Sequence, residues 1–229
     1  MNSISLASNQ QNYFNPNLIK PEHAPEVLRD FLRQRGCNGC NLGLQEDYKG
    51  PVVFRGNPKA SRMIIGEAPG LHEDINGIPF IGPAGQELSK MWTAMEWDLD
   101  KDWYITNVIK CRPVALRGSG RQNLTPKALQ IKSCKPYIIQ EIKSINPSIV
   151  VILGAVAAKA LLPKQIAGKN QTQLAGKVLY SNEFPGITFF IMFHPAYLLH
   201  SQGTEKYPQL KKDNWGHIQL LKEIIDDIE

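Results

Sequence analysis

The sequence has no hydrophobic run that is long enough to cross a membrane. Its longest apolar-rich stretch, residues 148–163, is interrupted by Gly154 and Lys159, so it is too short and too polar to span a bilayer. Residues 1–17 are rich in Asn, Gln and Ser and lack the basic start and the apolar core of a secretory signal. We therefore expect a soluble cytoplasmic protein without a membrane partner, in which residues 1–24 form a disordered tail.

Cysteine is also scarce, with four residues in a chain of 229, and no internal repeat or linker is visible after about residue 24. An intracellular chain is not expected to carry structural disulfides. The length is enough for one large domain and too small for two well-packed ones. We predict a single domain over residues 25–229.

The surplus of positive charge is modest. The chain has 26 Lys and Arg against 21 Asp and Glu, a net charge of +5. A basic balance favours a polyanionic partner such as nucleic acid. Many enzymes that never meet nucleic acid are equally basic, so the charge supports this class of partner without establishing it.

Apolar strand patterns alternate with helical patterns along the chain. Residues 149–153 form a continuous apolar run that is β-branched in its first four positions, which is typical of a strand buried on both faces. Thr125 and Pro126 suit the N-cap and the first position of a helix. The predicted strands are 62–65, 103–108, 149–153, 176–180 and 188–193, and the predicted helices are 25–35, 83–95, 125–145, 154–162 and one within 207–228. The alternation predicts an α/β fold, a three-layer α/β/α sandwich with a central, mostly parallel sheet.

Polar motifs follow three of the predicted strands. Gly66-Glu67 comes after the first strand, Asn107 lies near the end of the second, and His194 follows the last. In open α/β sheets, ligands bind beyond the carboxyl ends of the strands. Any one of these residues could simply begin a loop, but their convergence predicts a pocket at this edge of the sheet.

Two further features suit a pocket for a planar ligand. The turn 66–70, Gly-Glu-Ala-Pro-Gly, lets backbone approach a ligand closely and exposes N–H groups. Phe80 lies in a Gly/Pro-rich loop, where its ring could stack on a base or plug the end of the core. His194 could donate to a developing anion, although a lone histidine is more often structural.

The four cysteines leave several kinds of site open. Cys37 and Cys40 form a Cys-x-x-Cys pair after the first predicted helix, whereas Cys111 and Cys134 are distant in sequence. Four thiols can hold zinc or an iron–sulfur cluster. A thioredoxin-like redox pair fits less well, because the Cys-x-x-Cys does not lie between a strand and a helix of a βαβ unit. Four unrelated thiols are a further alternative.

Taken in order, these motifs resemble those of the iron–sulfur uracil-DNA glycosylases known as family 4. The resemblance covers nearly all of residues 37–225, and the ordered set is far more specific than any one motif. The matching residues are Cys37-x-x-Cys40, Gly56-Asn57-Pro58, Gly66-Glu67-Ala68-Pro69-Gly70, Glu73-Asp74, Gly77-x-Pro79-Phe80-x-Gly82-x-Ala84-Gly85, Asn107-Val108-x-Lys110-Cys111-Arg112-Pro113, Cys134, Leu153-Gly154 and His194-Pro195.

The resemblance implies a role for each part of the predicted pocket. Phe80 would stack on uracil, Asn107 would read the edge of the base, and His194 would stabilise the charge on uracil O2 as the glycosidic bond breaks. The backbone of Gly66, Glu67 and Ala68 would line the pocket and place the attacking water. The resemblance also implies a structural [4Fe–4S] cluster, with the ligands Cys37, Cys40, Cys111 and Cys134.

Other roles follow less directly from the resemblance. Glu67 is the first candidate for orienting water or stabilising the sugar cation, and Glu73 is the second. Better-known uracil glycosylases have Asp where this chain has Ala68, so the general-base role is not simply inherited. Leu198 or Leu199 would act as a wedge in the DNA stack. Independently of the resemblance, the basic residues near the cluster could meet phosphates or form an ordinary solvated face; they are Lys110, Arg112, Arg117 and Arg121.

The chain departs from the family pattern in two places. The interval between Cys111 and Cys134 is longer than usual, and the extra residues, 114–123, are expected to form a mobile basic loop near DNA. A related group traps uracil-DNA covalently through a loop histidine, but this loop contains no histidine, which argues against trapping here. His200 stands where many relatives have Arg, so one phosphate contact would be altered.

The expected protein is a monomeric hydrolase that releases uracil from single- or double-stranded DNA and leaves an abasic site, the first step of base excision repair. It would act on the nucleoid. Two alternatives stay open from the sequence. One is a uracil-DNA-binding or damage-sensing protein with weak turnover, and the other is a glycosylase that accepts further deaminated bases.

Overall fold

The computed structural model describes residues 24–35, 39–44, 49–117 and 120–229. The predicted tail 1–24 lies outside these residues except for Ala24. The strands are β1 (Phe54–Gly56), β2 (Arg62–Gly66), β3 (Trp103–Asn107), β4 (Val114–Arg117), β5 (Gly120–Asn123), β6 (Ile149–Leu153), β7 (Val178–Leu179) and β8 (Thr188–Met192). The helices are α1 (Ala24–Arg35), α2 (Leu71–Asn76), α3 (Pro83–Thr93), α4 (Ala128–Ile145), α5 (Ala155–Leu161), α6 (Gln171–Leu174), α7 (Pro195–Ser201) and α8 (Tyr207–Ile228), with a short 3-10 helix at Asn41–Leu44.

Six strands form one mixed sheet in the order β1-β3-β2-β6-β8-β7. The four inner strands are parallel, and the short edge strands β1 and β7 run antiparallel to their neighbours. The register pairs Gly66 at the end of β2 with Asn107 at the end of β3. The parallel arrangement therefore brings the carboxyl ends of β2, β3, β6 and β8 to one edge of the sheet.

Alternate residues of each inner strand face opposite sides of the sheet. In β6, Val150 and Ile152 pack with Ile138 and Ile142 of α4, whereas Val151 packs in a second cluster with residues of α3 and α8. Both clusters are buried, which explains why β6 is an uninterrupted apolar run. The predicted α/β/α sandwich with a mostly parallel sheet is confirmed.

Two local predictions are wrong. The helix expected to begin at Thr125 begins at Ala128, where the Gln130 side chain accepts a hydrogen bond from the Lys127 amide at 2.7 Å and closes the first turn. The extra residues between Cys111 and α4, expected to form a loop, form the antiparallel hairpin β4–β5. Among the helices of the described residues, none combines the length and the apolar character needed to cross a membrane.

Candidate active site

A cleft of about 730 Å³ lies at the carboxyl edge of the sheet. Its walls come from the turn after β2, the loop before α3, the end of β3, the base of the β4–β5 hairpin and the start of α7. The residues around it include Glu67, Ala68, Glu73, Phe80, Asn107, Asn123, Gln171, His194, Leu199 and His200. Eight of these are among the residues named from the sequence, and Asn123 and Gln171 are not.

Gly66 is the point at which Asn107 and Phe80 meet. A Cβ atom on Gly66 would overlap the Asn107 Oδ1 atom and would lie 2.5 Å from Phe80 Cζ. Only glycine permits this approach, because any side chain would displace the amide, the ring or both. The Phe80 ring and the Asn107 amide therefore both lie against Gly66 at the carboxyl end of β2.

Phe80 has a backbone conformation that is unusual for an aromatic residue, with a φ of 55°. Its ring is buried, and its centroid lies 6.1 Å from that of His194. A Cβ atom on Gly85 of α3 would overlap the Phe80 carbonyl and would lie 2.7 Å from Phe80 Cα. The helix therefore packs directly against the backbone of this residue.

Glu73 ties the two loops of the cleft together. Its Oε1 accepts hydrogen bonds from the amides of Ile81 at 3.0 Å and Gly82 at 2.7 Å, and its Oε2 accepts one from Gly70 at 3.1 Å. The side chain is buried. Three backbone donors satisfy its oxygens, so the geometry gives this carboxylate a structural task in the walls of the cleft.

Asn107 is buried at the end of β3, and its Oδ1 atom has no hydrogen-bond partner among the described residues. A buried acceptor without a partner costs free energy unless a ligand or water satisfies it. The backbone oxygen of Asn107 is held from behind by Lys110 Nζ at 2.8 Å. The main chain of Asn107 is thus fixed while its side-chain oxygen stays available at the cleft.

Lys110 does not lie where the sequence suggested. Its side chain is 2% exposed and forms an ion pair with fully buried Glu141 of α4, and its Nζ also donates to Thr106 Oγ1 at 2.6 Å. Tyr104 donates to Glu141 Oε1 at 2.8 Å. The expectation that Lys110 meets phosphate is wrong, because the ammonium is enclosed between β3 and α4.

His194 lies two residues after β8 and is the N-cap of α7. Its Nδ1 atom accepts a hydrogen bond from the Ala196 amide at 3.2 Å, which places the proton of the neutral ring on Nε2. Burial lowers the pKa of His194 to about 4, although the charge of Glu73 opposes the shift. At neutral pH the ring is therefore an uncharged donor.

Glu67 follows Gly66 directly and lines the cleft. Burial raises the pKa of its carboxyl group to about 6. A carboxyl group with such a pKa changes charge close to neutral pH, which suits acid–base chemistry and is frequent at functional sites. Its backbone oxygen accepts from the Ile109 amide at 3.0 Å, so the main chain is anchored to the segment after β3.

The two wedge candidates have different surroundings. Leu198 is buried and packs with Ala175, Phe193 and Leu210, whereas Leu199 lines the cleft. The structure therefore assigns Leu198 to the core, because its side chain points into an apolar cluster.

Sequence reasoning missed Asn123 and Gln171. Asn123 ends β5, and its Oδ1 accepts from Arg112 Nε at 2.7 Å; since Arg112 is also buried, the expected phosphate contact from this residue is wrong. Gln171 Oε1 accepts from the Ala155 amide at 2.9 Å. Neither Asn123 nor Gln171 follows a recognisable strand pattern in the sequence, so neither amide was predicted to line the cleft.

The side chains of the other two predicted phosphate contacts, Arg117 and Arg121, lie outside the described part of the structure.

Three of the four cysteines are described, and Cys37 lies outside the described residues. Cys40, Cys111 and Cys134 are buried and belong to the same apolar cluster. Ser133 Oγ donates to the Gly39 oxygen at 2.6 Å and so links the neighbours of Cys134 and Cys40. Within the described ranges, no group of three or more His, Cys, Asp or Glu side chains is placed to hold a metal ion.

Comparison with known proteins gives a consistent family. Residues 53–219 match the model of the uracil DNA glycosylase superfamily. The type-4 uracil-DNA glycosylase of Saccharolobus solfataricus is 35% identical over 79% of this chain and 80% of its own length. Those of Archaeoglobus fulgidus and Thermotoga maritima are 32% and 31% identical, over 87% and 80% of this chain and 94% and 88% of their own lengths. The chain therefore belongs to the uracil-DNA glycosylase superfamily and, within it, to the type-4 enzymes.

Proposed function

We propose that this chain hydrolyses the N-glycosidic bond of uracil in DNA, releases the free base and leaves an abasic site for base excision repair. The observation that carries the proposal is the unpartnered Asn107 Oδ1, which lies beside the Phe80 ring and in the same cleft as His194. The names of the type-4 relatives describe the same activity. We further propose that the protein acts as a monomer.

Asn107 and Phe80 form the base-reading part of the proposed site. Uracil presents an N–H donor flanked by carbonyl acceptors, and an asparagine amide can accept from the first and donate to the second. Cytosine presents the opposite polarity at these atoms, so a fixed amide rejects it. The Phe80 ring supplies a face on which the planar base stacks.

His194 is the proposed group for stabilising the leaving base. Negative charge grows on uracil O2 as the glycosidic bond breaks, and a positioned donor in a water-poor cleft stabilises that charge. The Ala196 amide orients the ring, so the Nε2–H donor is available before the substrate binds. A neutral donor also avoids the cost of burying a charged imidazole in the empty cleft.

Glu67 is the proposed group for orienting water or stabilising the sugar cation. Ala68, the next residue, has no polar side chain that could do either, and Glu73 is engaged by three backbone amides. Among the described residues that line the cleft, this leaves Glu67 as the carboxylate for the task. Its role requires the ionised form, which is present above about pH 6.

Leu199 is the proposed wedge on the DNA side. Extracting a nucleotide from the stack costs a few kcal/mol, and an apolar side chain that fills the vacated space offsets part of that cost. Leu198 is left out of this role because it packs in the core.

We also propose that Cys37, Cys40, Cys111 and Cys134 hold a [4Fe–4S] cluster. The burial of three of these thiols in one apolar cluster supports the proposal, since clusters are bound by thiolates in shielded environments. When bound, the cluster would link the segment around Cys40 to α4 and to the segment that follows β3. It would not take part in the reaction. Purified protein is expected to be brown and to contain iron and sulfide; colourless protein with stoichiometric zinc would refute this assignment.

A uracil-containing oligonucleotide tests the activity. Single- and double-stranded forms are incubated with wild-type protein, His194→Ala and Asn107→Ala, and abasic sites are then cleaved with alkali. Wild type is expected to give cleavage, and loss of one stabilising donor at His194 is expected to slow it by roughly 10²–10³-fold. His217→Ala is the matched control, because this half-buried histidine packs on Phe193 and does not line the cleft.

Two results would change the assignment. Binding of uracil-DNA without strand cleavage at any protein concentration would favour a damage-sensing protein. Release of other deaminated bases at similar rates would favour a broader glycosylase.

A further inference from the structure

The stacking residue Phe80 is held in a strained position. A φ of 55° is disfavoured for an aromatic side chain, and such a conformation persists only when the surrounding structure enforces it. The ring would lie elsewhere if the backbone relaxed, because its contact with Gly66 depends on the direction of the Cα–Cβ bond. Whatever enforces this conformation therefore places the ring for stacking.

Three contacts enforce it, and one of them comes from Glu73, which lines the cleft. Gly85 packs on the Phe80 carbonyl and Cα, and Glu73 accepts from the two amides that follow Phe80. The third contact comes from outside the cleft. Arg55 Nη1, on the edge strand β1, donates to the Phe80 carbonyl oxygen at 3.1 Å.

Asp100 fixes the orientation of the Arg55 guanidinium. Arg55 Nε lies 2.6 Å from Asp100 Oδ1, and Nη2 lies 2.7 Å from Oδ2. This fork leaves Nη1 directed at Phe80. Asp100 itself lies in a closed turn before β3, in which Asp98 Oδ1 accepts from the amides of Asp100 at 2.9 Å and Lys101 at 3.2 Å.

We propose that Arg55 and Asp100 are positioning residues for uracil excision, which act by holding Phe80 in its stacking conformation. The inference rests on the proposed function, because it assigns these residues to the binding of the same base. The planar guanidinium of Arg55 is needed for this role, since a lysine ammonium cannot bind Asp100 through two parallel hydrogen bonds and also reach the Phe80 carbonyl. Neither residue lines the cleft, so neither contacts the base.

An ordinary surface ion pair is the competing explanation, and the chain contains a matched example. Arg62 of β2 pairs with Glu229, with its Nε at 2.8 Å from Oε1. The side-chain exposures are 14% and 49% for this pair and 19% and 58% for Arg55 and Asp100. Arg62 begins β2, at the end of the sheet opposite to the cleft. Arg62 Cζ also lies 5.9 Å from the centroid of the Trp103 ring, so Arg62→Lys controls for the loss of a guanidinium ion pair together with one ring contact.

The test compares single-turnover uracil release by wild type, Arg55→Lys, Arg62→Lys, Phe80→Ala and the double variant Arg55→Lys/Phe80→Ala. Misplacement of a binding group by about 1 Å costs up to 10²-fold, and a loosened ring is expected to cost roughly tenfold in Arg55→Lys. Arg62→Lys is expected to keep the wild-type rate. Without the ring, Arg55→Lys should cause no further loss, so the double variant should match Phe80→Ala.

A second readout does not depend on activity. The chain has 8 Phe, so the amide signal of Phe80 in [¹⁵N]Phe-labelled protein can be assigned by its loss in Phe80→Leu. Arg55→Lys and Asp100→Asn are expected to shift or broaden this signal, and Arg62→Lys is expected to leave it in place. An unchanged signal in Arg55→Lys, or equal rate losses in Arg55→Lys and Arg62→Lys, would overturn the proposal. Absence of uracil release by wild type together with a shifted signal would instead overturn only the proposed function.

Discussion

Asn107 and Phe80 meet at the end of β2, yet the molecule holds the two residues in different ways. Asn107 is the last residue of a strand with neighbours on both sides, and its carbonyl accepts from buried Lys110. Phe80 lies in a loop with a positive φ and depends on polar contacts from Glu73 and Arg55. Asn107, which is proposed to read the base, is thus part of the sheet. Phe80, which is proposed to stack on the base, lies in a loop that is held by hydrogen bonds.

This difference predicts how substitutions in each region affect folding stability and activity. A group on a strand is placed more precisely than one on a loop, and hydrogen-bond reading of a base edge tolerates less error than stacking on its face. We expect changes behind Asn107 to reduce folding stability together with activity. Changes around Phe80 should reduce activity with a smaller loss of stability.

The largest effect is expected from Lys110→Met. The substitution leaves Glu141 buried without its cation, and breaking a buried pair in this way costs about 3–5 kcal/mol. Denaturant unfolding would measure the loss. Tyr104→Phe is the matched control, because it removes only one hydrogen bond to the same carboxylate and should cost about 1 kcal/mol.

The double variant Lys110→Met/Glu141→Leu separates folding from positioning. It removes both charges, and well-packed apolar replacements of buried pairs are often neutral in stability. It should therefore fold, yet release uracil slowly, since the Asn107 carbonyl has lost its donor. Wild-type activity in a stably folded double variant would show that the network does not position Asn107.

A smaller loss of stability with a clear loss of activity is expected from Gly85→Ala. The new Cβ would overlap the Phe80 carbonyl and push the loop away from α3. Overpacking of this kind costs about 1–3 kcal/mol, and the displaced ring should slow uracil release by up to about 10²-fold. Single-turnover kinetics and denaturant unfolding on one protein sample give both values.

Gly216→Ala provides the control for the helix substitution itself. Gly216 lies in α8, where a Cβ meets nothing within 4 Å, so alanine should raise stability by up to about 1 kcal/mol. An equal loss of activity in both glycine variants would show that contact with Phe80 is not the cause.

The smallest expected effect is the pH dependence of the rate. It reports on the chemistry at Glu67 rather than on the contacts that hold Asn107 and Phe80. Because burial raises the pKa of Glu67 to about 6, the carboxyl group is protonated below this pH and ionised above it. His194, with a pKa lowered to about 4, stays neutral throughout. The single-turnover rate should rise about tenfold per pH unit below pH 6 and level off above it.

Glu67→Gln should be slower and should lose this dependence. The raised pKa also means that the folded protein binds more protons than the unfolded chain between about pH 4.5 and 6. The free energy of unfolding that Glu67 contributes therefore falls as pH rises through this window. A wild-type rate that stays flat from pH 5 to 8 would contradict a role for ionised Glu67.

The sheet and the position of the cleft could be predicted from the sequence because they depend on local patterns. The run Ile149–Leu153 is apolar at every position, and it is the central strand β6. Polar residues at strand ends mark the cleft edge, since the inner strands are parallel. The ordered motifs then gave the family, which the comparisons confirm.

The contacts that hold the site could not be predicted, because their partners are distant in the chain. From the sequence we expected Lys110 to be a surface cation, whereas in the structure it is buried and paired with Glu141 of α4. Nothing near Arg55 in the sequence indicates that it meets Phe80 and Asp100. The hairpin β4–β5 was also missed, because its Gly- and Arg-rich sequence has no apolar alternation to mark a strand.

Chromatography of the bases released in a single turnover tests the central claim most directly. Oligonucleotides that contain uracil, and matched ones that contain only cytosine and thymine, are incubated with wild type, Asn107→Ala and Phe80→Ala. Wild type is predicted to release one equivalent of uracil and neither of the other bases, and both variants are predicted to be slower, Asn107→Ala more so. Equal release of all three bases by wild type, or wild-type rates in both variants, would contradict a cleft in which Asn107 and Phe80 recognise uracil.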